Sequence, residues 1–124
     1  MQVTDGLIIF GCSECSEGKG WIKLYDRKTM ALLHTVQGDA DNFSTGSSMA
    51  ITREIPGITP LWYTTQNGNT LKLNTLFASY SSDAMTWGFD DRVDQFTAQG
   101  NSANDKLILN AIGETLYVKV NSAT

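Results

Sequence analysis

Four groups of residues have types and spacings that could do chemistry. Cys12-Ser13-Glu14-Cys15 has the CxxC spacing, which can hold a metal through thiolates or cycle as a redox pair. A structural zinc site needs four ligands, and no second CxxC accompanies this one. The sole histidine, His34, lies well downstream in a different predicted element. Redox pairs of this type sit at a strand-to-helix junction of an α/β fold, which this sequence does not suggest. The pair therefore reads as two loop thiols, or as one local disulfide in an oxidising compartment, and no metal or cofactor is expected. His34 sits between Leu33 and Thr35, and no serine lies in a nucleophile elbow for it to serve. Asp39, Asp41 and Asn42 have the spacing that opens a calcium loop, but Phe43 takes the next ligand position and no terminal Glu follows. Asp90, Asp91 and Asp94 could act as paired carboxylates in glycoside hydrolysis. Beside Arg92 they read instead as acidic turn residues. No catalytic constellation emerges, and the expectation is that the protein is not an enzyme.

The aromatic residues carry the more serious functional reading. Trp21, Tyr25, Trp62, Tyr63, Trp87, Phe89 and Tyr117 fall among Asn, Asp, Thr and Gln. Sugar sites combine apolar ring faces with hydrogen-bonding side chains, because pyranose C–H faces stack while hydroxyls need partners. The competing reading is that most of these rings fill the core, Trp62 among them, and that exposed tyrosines bury against another protein.

The elements that would position these residues are strands. The chain has 124 residues, 41% hydrophobic and only 18% charged; Thr, Ser, Asn and Gly fill the gap, a bias that suits strands and turns. This length predicts one domain spanning residues 1–124, large enough to bury a core without metal or disulfide support. The central stretch, Leu61 to Phe77, predicts a β-hairpin turning at Asn67-Gly68, a pair that tolerates the positive φ of a type I′ turn. That turn places Trp62 opposite Leu73 and Thr64 opposite Leu71. It sets Trp62, Leu71, Leu73 and Phe77 on a core face and Tyr63, Lys72 and Asn74 on the other.

Further strands are predicted at Val3 to Phe10, Trp21 to Asp26, Met30 to Val36 and Ser48 to Ile55. Two more, Ala84 to Phe89 and Arg92 to Ala98, flank Asp90-Asp91, with a turn at Ser79 to Asp83. Residues 11–20, 37–48 and 99–105 read as polar loops. A final hairpin, KLILNAIGETLYVKVN, closes the chain, with Leu107, Leu109, Leu116, Val118 and Val120 alternating with polar residues. The fold class is all-β: an antiparallel β-sandwich or small β-barrel built from hairpins.

Gly68-Asn69-Thr70-Leu71 is echoed by Gly113-Glu114-Thr115-Leu116, and WIKLYDRKTMALLHTV resembles a strand pair of a β-propeller blade. The resemblance covers about three short strands and lacks a diagnostic dipeptide. It implies blades, but a chain this short cannot close a propeller of at least four blades unless copies assemble. Common turn chemistry in two hairpins accounts for the echo.

A net charge of −4 with no cluster of Lys and Arg argues against nucleic acid as a partner. No apolar run approaches the ~18 residues of a membrane span, so no membrane is expected. The N-terminus has no basic n-region, so a signal peptide is not expected and the location is the cytoplasm at synthesis, or a virion if the source is viral. The leading expectation is a non-enzymatic structural or assembly protein, such as a small β-rich virion component of the phage capsid-decoration or tail-associated kind. Its partners would be other copies of itself or a larger protein scaffold. The alternative is a carbohydrate-binding module or lectin, including one built as an oligomeric propeller-like assembly, with glycan as its partner. Either way, the interface or ligand candidates are Tyr25, Tyr63, Leu76, Tyr80 and Tyr117 on outer strand faces.

Overall fold

The computed structural model describes residues 1–121, and of residues 92–94 the backbone alone. Ten strands run in order: β1 Gln2–Val3, β2 Leu7–Cys12, β3 Trp21–Asp26, β4 Leu32–Gln37, β5 Met49–Ile51, β6 Ile58–Asn67, β7 Thr70–Ser81, β8 Thr86–Gln99, β9 Lys106–Ile112 and β10 Thr115–Asn121. They form two four-stranded sheets, β1-β2-β3-β4 and β5-β6-β7-β8, and a two-stranded ribbon, β9-β10. Every named pairing is antiparallel between sequence neighbours. The fold is an all-β sandwich, and none of the sheets closes into a barrel.

The β6–β7 hairpin is the middle layer of three. Tyr63, Leu61, Leu76 and Ala78 on one of its faces pack against Leu7, Ile9, Ile22 and Leu24 of the first sheet, and all eight are buried. On the opposite face Ala50 and Leu73 pack against Leu109 of the ribbon, with Trp62, Ala111 and Leu116 around them. A sheet covered on both faces loses the apolar-in, polar-out alternation of a half-exposed one. This overturns the expectation that Tyr63, Lys72 and Asn74 form a solvent face: Tyr63 is 1% exposed and Asn74 is equally buried. Trp62, expected as deep core, is half-buried on the thinner ribbon side.

The hairpin turn also differs from the expectation. Asn67 pairs with Thr70, so the two-residue loop is Gly68-Asn69, not Asn67-Gly68. Gly68 has φ of 59° while Asn69 is not among the positive-φ residues, which is the requirement of a turn with glycine at its first central position. The register becomes Trp62 opposite Thr75 and Thr64 opposite Leu73. The slip is of two residues, so the predicted grouping of side chains by face survives it. The ribbon turns the same way: Ile112 pairs with Thr115 around Gly113-Glu114, and Gly113 has φ of 60°. The Gly-x-Thr-Leu echo in the sequence is this shared turn.

Pro60 lies inside β6 without breaking it. Thr64 donates its backbone N–H to Ser48 on the β5 side, so the nitrogens of Trp62 and Pro60 point that way too. Pairing with β5 ends at Ile51 opposite Leu61, and Pro60 falls just past it, where no ladder donor is required. β8 is one continuous strand through Asp90 and Asp91, where a turn was expected. The real turn is at residues 82–85, beyond the predicted Ser79 to Asp83. As an edge strand β8 tolerates polar residues in its middle. It also bulges, with residues 93–95 opposite the single Asn74.

Candidate functional site

Two features differ from ordinary sandwich surface: a polar cleft between the sheets, and the ribbon's apolar exposure. The cleft, of about 310 Å³, opens between β4 with its following loop and the inner face of β6-β7-β8. Gln37, Asp39 and Asn42 line one wall; Tyr63, Asn74 and Asp91 line the other. Its floor is built from buried polar groups, with Asn74 donating through Nδ2 to Thr65 Oγ1 at 2.9 Å. At the mouth Asp39 Oδ1 accepts from the Asp41 backbone N–H at 2.8 Å and from Asn42 Nδ2 at 3.1 Å. Chiefly the Asp41 bond, then that from Asn42, hold this carboxyl below the usual carboxylate range. Asp39 and Asn42 also exchange backbone hydrogen bonds, so this is a self-satisfied loop of the kind the sequence favoured over a calcium site. Chemically the cleft offers polar side chains, among them the carboxylates of Asp39 and Asp91.

His34 stacks on Phe89 with ring centroids 4.5 Å apart. Its Nε2 approaches Asp91 Oδ2 at 3.4 Å without the alignment of a hydrogen bond. Among the described residues no serine is hydrogen-bonded to it. Asp90 and Asp91 point to opposite faces of β8, as neighbours on a strand must; the side chains of Arg92 and Asp94 lie outside the described residues. Cys12 and Cys15 are joined to each other in a disulfide, the second of the two states their spacing allowed. Among the described residues no three or more His, Cys, Asp or Glu side chains gather as metal ligands. No helix of the described residues is long and apolar enough to cross a membrane.

The five interface candidates are not brought together. Tyr63 and Leu76 are 1% and 0% exposed in the main core, which corrects their placement on an outer face. Tyr25 is half-buried on the outer side of the first sheet, edge-on to Phe10 with centroids 5.9 Å apart. Tyr80 packs on Trp87 near the end of β7, centroids 5.2 Å apart. Tyr117 alone lies on the ribbon, 55% exposed.

The ribbon exposes apolar side chains on both faces, Tyr117, Ile108 and Ile112 on the outer one and Val118 and Val120 on the inner one. Val118 and Val120 are 39% and 44% exposed, Ile108 44%, Ile112 63%, and Phe96 on the neighbouring β8 50%. Trp62, Leu73, Phe96, Leu116 and Val118 line an open groove of about 390 Å³ between β10 and β8. Among the described residues β10 has no strand on its far side, so an apolar strand with a free edge is left at the surface. Sequence reasoning missed Phe96, Val118 and Val120 because alternation gives a side-chain direction but not whether a second layer covers it. No family model, curated protein or solved structure matches the chain.

Proposed function

We propose that this chain is a non-enzymatic assembly protein that works by docking its β9-β10 ribbon against other protein. The observation that carries this reading is β10. All its residues except Leu116 are exposed, among the described residues its backbone is paired on one side only, and Tyr117, Val118 and Val120 are apolar. Exposed strand edges of this kind pair with other chains unless charges or cover prevent it. Val118 and Val120 on the inner face, beside Phe96 of β8, add exposed apolar surface along this edge. A repeating protein shell or tail, as in a virion, is the setting we propose, since copies bound at fixed spacing would bury every ribbon. The reading is tested by light scattering at micromolar concentration. We expect a mass that is a multiple of 13.6 kDa, or stable capture by a larger scaffold from the same source. A strict monomer that binds no protein from that source would overturn it.

The polar cleft favours a second reading, a glycan-binding module. Gln37, Asp39, Asn42 and Asn74 line it beside Tyr63, and saccharide hydroxyls need polar partners of this kind. Retention on a glycan array that is lost in Asn42→Ala, with folding intact, would support it.

A further inference from the structure

We propose that the occupant of the β10 edge is β10 of a second copy, paired antiparallel about a two-fold axis at Val118. The inference rests on the assembly reading above and adds its partner and register. Leu109 donates its backbone N–H to Ser48 Oγ at 2.9 Å, not to Val118, which lies opposite it on β10. Residues opposite one another in an antiparallel ladder exchange both hydrogen bonds or neither. The N–H and C=O of Val118 therefore point away from β9, and by alternation so do those of Leu116 and Val120. The free edge thus offers its donors and acceptors at the three aliphatic residues of the strand.

The sequence of β10, Thr115-Leu116-Tyr117-Val118-Lys119-Val120-Asn121, complements itself when reversed. With Val118 on the axis all seven residues pair. Leu116 meets Val120 of the partner subunit, Val118 meets Val118 of the partner subunit, and Thr115 meets Asn121 of the partner subunit. Tyr117 falls opposite Lys119 of the partner subunit, an aromatic beside an ammonium instead of two like charges. Shifting the axis to Lys119 would set the two lysines against each other. Shifting it to Tyr117 would leave Val120 and Asn121 without partners. A two-stranded ribbon is marginal alone, whereas joining two gives a four-stranded sheet, β9-β10-β10-β9. That sheet continues the inner apolar face, so Val118 and Val120 gain neighbours that one copy does not supply.

The register is tested with two exposed positions whose substitution leaves the core alone. Tyr117→Cys and Lys119→Cys are purified separately, oxidised alone and as an equimolar mixture, and read on a non-reducing gel. The native cysteines are joined to each other, and no free cysteine is present. We expect the mixture to give several-fold more covalent dimer than either variant alone. Val118→Pro removes an N–H that points to the free edge and leaves the β9 ladder intact, so it is expected to be monomeric by light scattering while retaining the wild-type strand content by circular dichroism. As much dimer from Tyr117→Cys alone or from Lys119→Cys alone as from the mixture would overturn the Val118 axis. So would an oligomer with no cross-link in the mixture, although the assembly reading would survive that result. A wild-type monomer would overturn self-pairing outright, and capture by a different scaffold would then leave only the broader reading. If Val118→Pro fails to fold, the cysteine mixture still decides.

Discussion

Gln66 accepts a hydrogen bond from Lys106 Nζ at 2.7 Å through its side-chain oxygen. Its amide nitrogen meanwhile reaches the carbonyls of Gly68, Ala103 and Asp105 at 2.8, 2.7 and 3.2 Å. One side chain, 6% exposed, thus ties the central hairpin turn to the loop that launches the ribbon. Replacing it with an apolar residue strands several carbonyls and an ammonium at once. Gln66→Leu should lose about 2–4 kcal/mol, scaling from the penalty of unmet buried polar groups. Lys106→Met, which removes the donor to Gln66 Oε1 but leaves the amide nitrogen's bonds in place, should lose less, about 1–2 kcal/mol. Urea denaturation measures both, and ribbon amides should exchange fastest in Gln66→Leu.

The glycine positions separate conformational strain from steric overlap. A Cβ at Gly68 would meet nothing, so Gly68→Ala should cost only the left-handed backbone term, about 1 kcal/mol. Asn67→Ala should be neutral within about 0.5 kcal/mol, since Asn67 is an exposed strand residue outside the turn. A Cβ at Gly38 would overlap the Lys19 carbonyl, where the backbones of residues 18–20 and 44–45 are stitched by hydrogen bonds. Gly38→Ala should therefore cost roughly 3 kcal/mol or more, at or beyond the usual overpacking range. Chemical denaturation should rank the three by increasing loss of stability as Asn67→Ala, Gly68→Ala and Gly38→Ala.

Those same positions show what was legible in the sequence. Trp21 to Asp26 was predicted with the bounds it has as β3, because its alternation is bounded by a glycine-rich loop and a charged turn. Asn67-Gly68 was chosen as the turn on pair preference, but glycine alone met the positive-φ requirement. The neighbouring Gly68-Asn69 and Gly113-Glu114 use one solution. Asp90-Asp91 suggested a turn because polarity was taken for a break, whereas an edge strand can carry carboxylates on either face. Tyr63 and Leu76 were misplaced for a different reason: strand periodicity gives two faces but not the number of layers. The layer that covers these two is the first sheet, through Leu7, Ile9, Ile22 and Leu24, far away in sequence. The polar cleft was out of reach likewise, since Asp39, Asn74 and Asp91 meet only through sheet packing.

The Cys12–Cys15 bridge closes a very short loop, so it constrains the unfolded chain little. Reduction, or Cys12→Ser with Cys15→Ser, should lower stability by about 2 kcal/mol at most on the loop-entropy scale. Treatment with EDTA should leave the unfolding midpoint unchanged. A drop on chelation would mean that a metal contributes to folding.

Asp39 predicts a pH response at the cleft mouth. Its carboxyl titrates below the ordinary range in the folded chain, chiefly because it accepts the Asp41 N–H. A carboxyl with a depressed folded value contributes stability above its unfolded value, and loses it as pH falls through the lowered folded value. The loop should thus hold through mildly acidic conditions and loosen only in strong acid. Amide exchange at Asp41 and Asn42 should rise there in the wild type. In Asp39→Ala it should already be fast at neutral pH, with no acid step.

The two neighbours Trp62 and Tyr63 point to opposite faces of β6, and their truncation should separate the two cores. Tyr63 is 1% exposed among Leu7, Ile9, Ile22 and Leu24, and the surrounding sheets cannot collapse onto the space it leaves. Tyr63→Ala should cost about 3–5 kcal/mol, the usual range for a large buried aromatic. Trp62 is half-buried on the ribbon side, where its Nε1–H donates to Thr52 Oγ1 at 3.1 Å. Trp62→Ala should cost less, about 2–3 kcal/mol, because part of the ring surface already faces solvent. Trp62→Phe keeps most of the contact but strands the Thr52 hydroxyl, for about 1 kcal/mol. The consequences for assembly should run the other way. Trp62 lines the groove beneath β10, so Trp62→Ala should loosen the ribbon and reduce the associated mass, while any surviving folded Tyr63→Ala should assemble normally. Equilibrium unfolding paired with light scattering reads both effects. A larger loss of stability from Trp62→Ala than from Tyr63→Ala would mean that the ribbon side, not the sheet-to-sheet side, holds the main core.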